Sequence, residues 1–231
     1  MSKTRLKTAL RTAGALALSG LVLTGCAGTA RPGVAIEVGD ETISTSTVDS
    51  ASAHLCTALG DEFSANGTVV PMGFIRQGVV QLMTLSSTAH QIADEYGVEP
   101  GAAYERELAS RRRAAEAFPE EVREDYVEVM TANALANDIL EQVGRAELAE
   151  QGFEEPTVDQ ITQAGTDIFT SWPDANGVTI DPRYGVEMVD GTLSPSDTNL
   201  SVAVGETALA GLATEPDAAY ANTLPETHRC G

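Results

Sequence analysis

Apolar residues along this chain follow first one period and then another. In "VAIEVGDETIS", Val34, Ile36 and Val38 alternate with other residues, the period-two pattern of a half-buried strand. Gly39-Asp40 supplies a tight turn, and Glu41 to Ser44 returns as a short partner strand. Two strands alone are marginal, so this hairpin must pack on a second layer. From Ser46 the spacing becomes helical. "STVD", Ser46 to Asp49, has the form of a capping box and opens a first helix reaching about Leu59. Residues 60–70, "GDEFSANGTVV", read as a loop dense in Gly, Asn and Ser.

Pro71 suits the first turn of a long second helix. Ile75, Val79, Leu82, Met83, Ile92 and Tyr96 form its apolar stripe, and Gly97 predicts its C-terminal cap. A third helix is predicted from Pro100 to about Phe118. Pro119-Glu120-Glu121 then starts a fourth, with acids at the positive end of the helix dipole. That helix carries Val122, Tyr126, Val129, Met130, Leu135, Ile139, Leu140 and Val143 and fades near Gly152. Thr157 to Gln160, "TVDQ", is a second capping box leading into Ile161, Ile168 and Phe169. After Trp172, turn signals flank short apolar runs, and residues 206–231 are rich in Ala, Thr, Pro and Glu with little to bury.

The first 25 residues follow different rules. They carry Lys3, Arg5, Lys7 and Arg11, no acid, and an apolar segment of 13 residues from Thr12 to Thr24. These are the parts of a secretory signal peptide. The apolar run is shorter than the roughly 20 residues a spanning helix needs. Its end, Leu23-Thr24-Gly25-Cys26, resembles the lipobox of bacterial lipoproteins, which implies a diacylglycerol thioether on Cys26. Residues 26–33, "CAGTARPG", then read as a flexible tether between lipid and domain.

Composition changes the picture in one respect. Without residues 1–25, 206 residues remain, and the formal charge moves from −20 to −24 because the leader holds four cations and no acid. Such a balance excludes nucleic acid as a partner and excludes electrostatic adhesion to an anionic bilayer. The remainder contains ten arginines and no lysine, so Schiff-base, Ser–Lys and P-loop chemistry are excluded. Cys26, Cys56 and Cys230 are its cysteines. With Cys26 lipidated, an exported chain has two left, and exported pairs oxidise, so a Cys56–Cys230 disulfide is expected.

The order of hairpin, capped helix and long amphipathic helix resembles the N-terminal domain of SurA-type periplasmic chaperones and PrsA-type foldases. "VAIEVGDETISTSTVD", Val34 to Asp49, matches their opening strand, turn and first helix. Ala93-Asp94-Glu95-Tyr96-Gly97-Val98 matches their "A-x-E-x-G-V" helix end. "NGVTIDPRYG", Asn176 to Gly185, is similar to the "V-x-V-x-P-R-[FY]-G" stretch of actinobacterial lipoprotein members. The resemblance covers about residues 34–185. It implies a mainly α fold and a chaperone-like, client-binding role toward unfolded or extended polypeptide. It does not imply prolyl isomerase activity, because residues 158–226 contain no histidine and no room for a parvulin module.

The expected organisation is a leader (1–25), a tether (26–33), a helical domain with its small hairpin (34–170), an irregular or small β appendage (171–205) and a poorly ordered tail (206–231). Met72, Phe74, Met83, Tyr126 and Met130 suit a deformable client-binding groove, although the same helical spacing suits a core. His54 and Cys56 face apart on a helix, and His90 and His228 stand alone, so no metal site, cofactor or histidine-based catalysis is expected. The run Arg111 to Arg113 is read as neutralising the surrounding glutamates. The expected role is a non-catalytic, lipid-anchored client-binding module on the extracytoplasmic face of the cell membrane. The other reading is an accessory envelope lipoprotein with one dedicated partner.

Overall fold

The computed structural model describes residues 31–196, 205–211 and 215–231. The fold is mainly α. Strands β1 (Val34–Val38) and β2 (Glu41–Ser44) lead into helix α1 (Thr45–Ala65) and the two-residue strand β3 (Val70–Pro71). Helices α2 (Met72–Tyr96), α3 (Ala102–Ala115), α4 (Glu120–Glu150) and α5 (Val158–Asn176) follow. α4 packs against α1, α2, α3 and α5, which makes it the centre of the helical layer. Its stripe of Val122, Tyr126, Val129, Leu135, Ile139 and Val143 is buried, as the spacing predicts.

The hairpin forms at the expected register, with Val38 opposite Glu41, and Gly39 takes φ 51° to reverse the chain. An irregularity between Val34 and Ile36 turns Ala35 inward, so Ala35, Ile36 and Val38 are buried while Val34 is not fully so. α1 starts two residues earlier than "STVD" suggests. Strand β2 ends at Ser44, and its hydroxyl accepts the Thr47 N–H at 3.0 Å, so Ser44 is the cap and Ser46 lies inside the helix. Asp49, freed from capping, accepts the Arg76 Nε–H of α2 at 2.9 Å. α1 also runs through the expected loop to Ala65, because Leu59 and Phe63 extend its apolar stripe onto the core.

α2 ends at Gly97 with φ 64°, and Val98 N–H closes on Ala93 O at 2.9 Å, as expected of a glycine cap. At α5, Gln160 N–H donates to Thr157 Oγ1 at 3.3 Å and Thr157 N–H to Gln160 Oε1 at 2.9 Å, the reciprocal pair foreseen at "TVDQ". α5 continues beyond Trp172, whose buried indole N–H donates to Glu95 Oε2 of α2 at 3.0 Å.

Of residues 171–205, the described run 171–196 contains the expected small β structure but joins the main fold instead of forming an appendage. Strand β4 (Val178–Ile180) pairs antiparallel with β1, Ile36 opposite Ile180 and Val38 opposite Val178, giving a three-stranded sheet in the order β2-β1-β4. The hairpin thereby gains the third strand it needs. A short 3₁₀ turn, Pro182–Tyr184, leads to a second hairpin, β5 (Val186–Val189) and β6 (Thr192–Pro195), turned by Asp190 and Gly191 at positive φ.

The expectation of a poorly ordered tail is corrected for residues 215–231. After α6 (Glu206–Gly211) come α7 (Ala218–Ala221), a 3₁₀ turn (Glu226–His228) and β7 (Arg229–Cys230). β7 pairs with β3, Val70 opposite Cys230, and Ala221 and Cys230 are buried. Cys230 is disulfide-bonded to Cys56 of α1, with Cα atoms 5.6 Å apart. A covalent tie and a backbone ladder hold a segment whose own apolar content is small.

Candidate functional site

The entry to α2 faces this tied C-terminal segment across a cleft of about 660 Å³. Pro71 closes β3 and fixes the start of α2, while β7 runs antiparallel beside it. The opposite wall therefore comes from α6, α7 and the last 3₁₀ turn. Asp181 accepts the Arg183 N–H at 3.0 Å and holds the turn that presents Tyr184 and Gly185. The Gly185 carbonyl accepts the Gln77 side-chain amide at 3.2 Å and the Ser196 N–H at 2.9 Å, which joins α2 to the end of β6 at the cleft floor.

The lining is chemically mixed. Phe74 is 39% exposed and turns its ring to the cleft side of α2. Met72, Tyr184, Tyr220 and Leu224 supply further apolar surface, and Gln77, Gln81 and Ser196 supply neutral polar groups. Two of the charged residues are engaged elsewhere. Arg76 is bound by Asp49, and the Asp217 carboxylate caps α7 by accepting the N–H groups of Ala219 at 2.8 Å and Tyr220 at 3.2 Å. Burial, and after it the Asp49 charge, raises the Tyr184 phenol above the ordinary value of 10.0, so it stays a neutral donor.

The expected client-binding set is not brought together. Met72, Met83 and Tyr126 are buried in the core, and the Tyr126 ring meets Phe118 edge-on at 4.8 Å. Met130 is partly buried against the same core. Helices cover α4 on several sides, and neither its methionine nor its tyrosine lines the cleft. Phe74 and the more buried Met72 are the members that line the cleft. Cys26 lies outside the described residues. The cleft residues Gln77 and Ser196 gave no sequence signal, whereas Tyr184 and Gly185 stood inside the "PRYG" stretch.

Of the other singled-out residues, His54 and Arg111 have structural partners. His54 Nδ1 lies 2.6 Å from Asp125 Oδ2, joining α1 to α4. Arg111 donates to Glu107 at 2.6 Å, within the acidic surroundings expected of it. His90 is exposed on α2, and His228 is exposed at the cleft rim. One turn beyond Asp125, partial burial raises the Glu128 carboxyl above its ordinary 4.5, with the charges of Asp125, Glu124 and Glu41 adding to it.

Compared with known proteins, the chain matches no family model, no curated protein and no solved structure.

Proposed function

We propose that this protein is a non-catalytic, extracytoplasmic binding module, anchored by lipid on Cys26, that holds extended polypeptide clients. The observation that supports it most is the cleft at the entry of α2, with Phe74 exposed over neutral polar groups. A concave site of a few hundred Å³ with an apolar body and a few convergent polar groups is the usual form of a binding pocket. The Cys56–Cys230 bond fits a chain that has left a reducing compartment. Among the described residues no helix is long and apolar enough to cross a membrane, which is compatible with an anchor made of lipid.

One observation favours narrower selection, namely an accessory envelope lipoprotein with a dedicated partner. Met83 and Tyr126 are buried, so the deformable surface that suits varied clients is reduced. The test is suppression of aggregation of several unrelated denatured proteins by the full oxidised chain in mild detergent. An equally acidic protein serves as control. Suppression of several supports client binding in general. Suppression of none, with crosslinking in cells to one folded protein, supports the dedicated partner. Accelerated cis/trans conversion of a proline tetrapeptide above background would overturn the non-catalytic reading.

A further inference from the structure

We infer that the cleft between α2 and the disulfide-tied C-terminal segment accepts one apolar side chain of an uncharged, extended polypeptide stretch, seated on Phe74, with the backbone of that stretch hydrogen-bonded by Ser196, Gln77 and Gln81. The inference rests on the client-binding reading and names the chemistry of the client.

Three observations carry it. First, Phe74 is exposed at a concave place that Leu224 also lines, so an occupying aliphatic or aromatic side chain removes apolar surface from water there. Second, Ser196 lines the cleft, and its hydroxyl is screened from water with no hydrogen-bond partner among the described residues. An orphaned buried hydroxyl is unfavourable, and rotation about one side-chain bond presents it to an occupant that supplies an amide. Gln77 uses one amide hydrogen on Gly185 O and keeps its oxygen, while the Gln81 amide makes no hydrogen bond to another described residue. These groups pair with both peptide N–H and peptide C=O.

Third, the charge pattern disfavours an ionic ligand. Arg76 is bound to Asp49 and Asp217 caps α7, which leaves Glu215 and His228 on the exposed rim. A charged client side chain entering the cleft would lose hydration and meet only charges that are already engaged or solvated at the rim. A saccharide also hydrogen-bonds to neutral groups. It also needs an aromatic face; the buried Tyr184 offers none, and whether Phe74 seats a sugar ring or an apolar side chain is decided by the experiment below.

The experiment measures binding of fluorescein-labelled decapeptides, Gly/Ser throughout except for one central Leu, Phe, Asp or Lys, to the full oxidised chain in mild detergent. The Leu and Phe peptides are expected to bind about tenfold more tightly than the Asp and Lys peptides, a difference of one contact's worth of free energy. Phe74→Ser should weaken the Leu and Phe peptides about tenfold, and Ser196→Ala a few-fold. Circular dichroism melts of each variant establish that the fold persists. Binding of all four peptides alike overturns the inference, as does Leu-peptide binding unaffected by Phe74→Ser, and in both cases client binding at another surface still stands. Phe74-dependent binding of chitotriose in place of the peptides overturns it in favour of a saccharide. Failure of every peptide, together with no suppression of aggregation, removes the client-binding reading itself.

Discussion

Gly144 of α4 and Gly165 of α5 meet backbone to backbone. A Cβ added to Gly144 would lie 2.7 Å from Gly165 N, and one added to Gly165 would lie 2.8 Å from Leu140 Cδ2. The two helices therefore cross at a distance that only hydrogen at these positions permits. Gly144→Ala is expected to destabilise the protein by about 1–3 kcal/mol through forced separation of the helices. Gly60, in α1, has nothing within 4 Å of an added Cβ. Gly60→Ala is expected to stabilise by about 0.5–1 kcal/mol from helix propensity alone. Urea unfolding of the two variants checks both signs.

The disulfide spans a sequence separation of 174. In the chain-entropy model so long a loop contributes up to roughly 4–5 kcal/mol, and engineered examples fall below this. Cys230→Ser should lower the denaturant midpoint substantially and release α7 and β7 from the cleft wall. Hydrogen exchange should then report loss of protection at Val70 and at position 230, whose strands pair across this join. Unreduced peptide mapping of the exported protein should give the Cys56 and Cys230 segments as one linked species.

A pH effect is expected at Glu128. Its carboxyl is raised above 4.5 by burial and by Asp125, Glu124 and Glu41. A raised acid binds its proton more tightly when folded, so ionisation at neutral pH opposes folding, and the opposition disappears as the pH falls below the unfolded value. Glu128→Gln should therefore raise the melting temperature at pH 7. The gain should shrink toward pH 4. An equal gain at both values would assign the effect to packing.

Lipidation is tested through Cys26→Ser. The variant should leave the membrane fraction and keep its leader uncut by a lipoprotein signal peptidase. Unchanged membrane association with an unchanged mature mass would remove the lipobox reading.

What could be read in advance depended on how far apart the interacting residues lie. The stripes of α2 and α4, the Gly97 cap and the Thr157 box are decided within a few residues, and they were legible. Ser44 and Ser46 both offer a hydroxyl three residues before a helix position, and only the end of strand β2 decides between them. β4 is three residues long, and its partner β1 lies some 140 residues earlier, so no local period marks it. Met83 and Tyr126 show the same helical spacing whether they face a groove or a neighbouring helix. The cleft escaped reading for a related reason. The cysteine pair was visible in the sequence, but that the tail it secures faces Phe74 follows from where α1, β3 and α2 lie in space.

The position of β1 has a mechanical consequence. It is the middle strand of its sheet, and it begins directly after the residues proposed to lead to the lipid. Just ahead of it, the Gly33 carbonyl accepts the Thr45 N–H at 2.9 Å, and Arg31 pairs with Glu37 at 2.7 Å. Antiparallel ladder bonds lie perpendicular to their strands. Were the proposed lipid anchor to transmit tension, it would run along β1 and load the bonds to β2 and to β4 together, in shear, instead of peeling them one at a time. An anchor at Cys26, as proposed, would thus hang the domain from a strand that is paired on both edges.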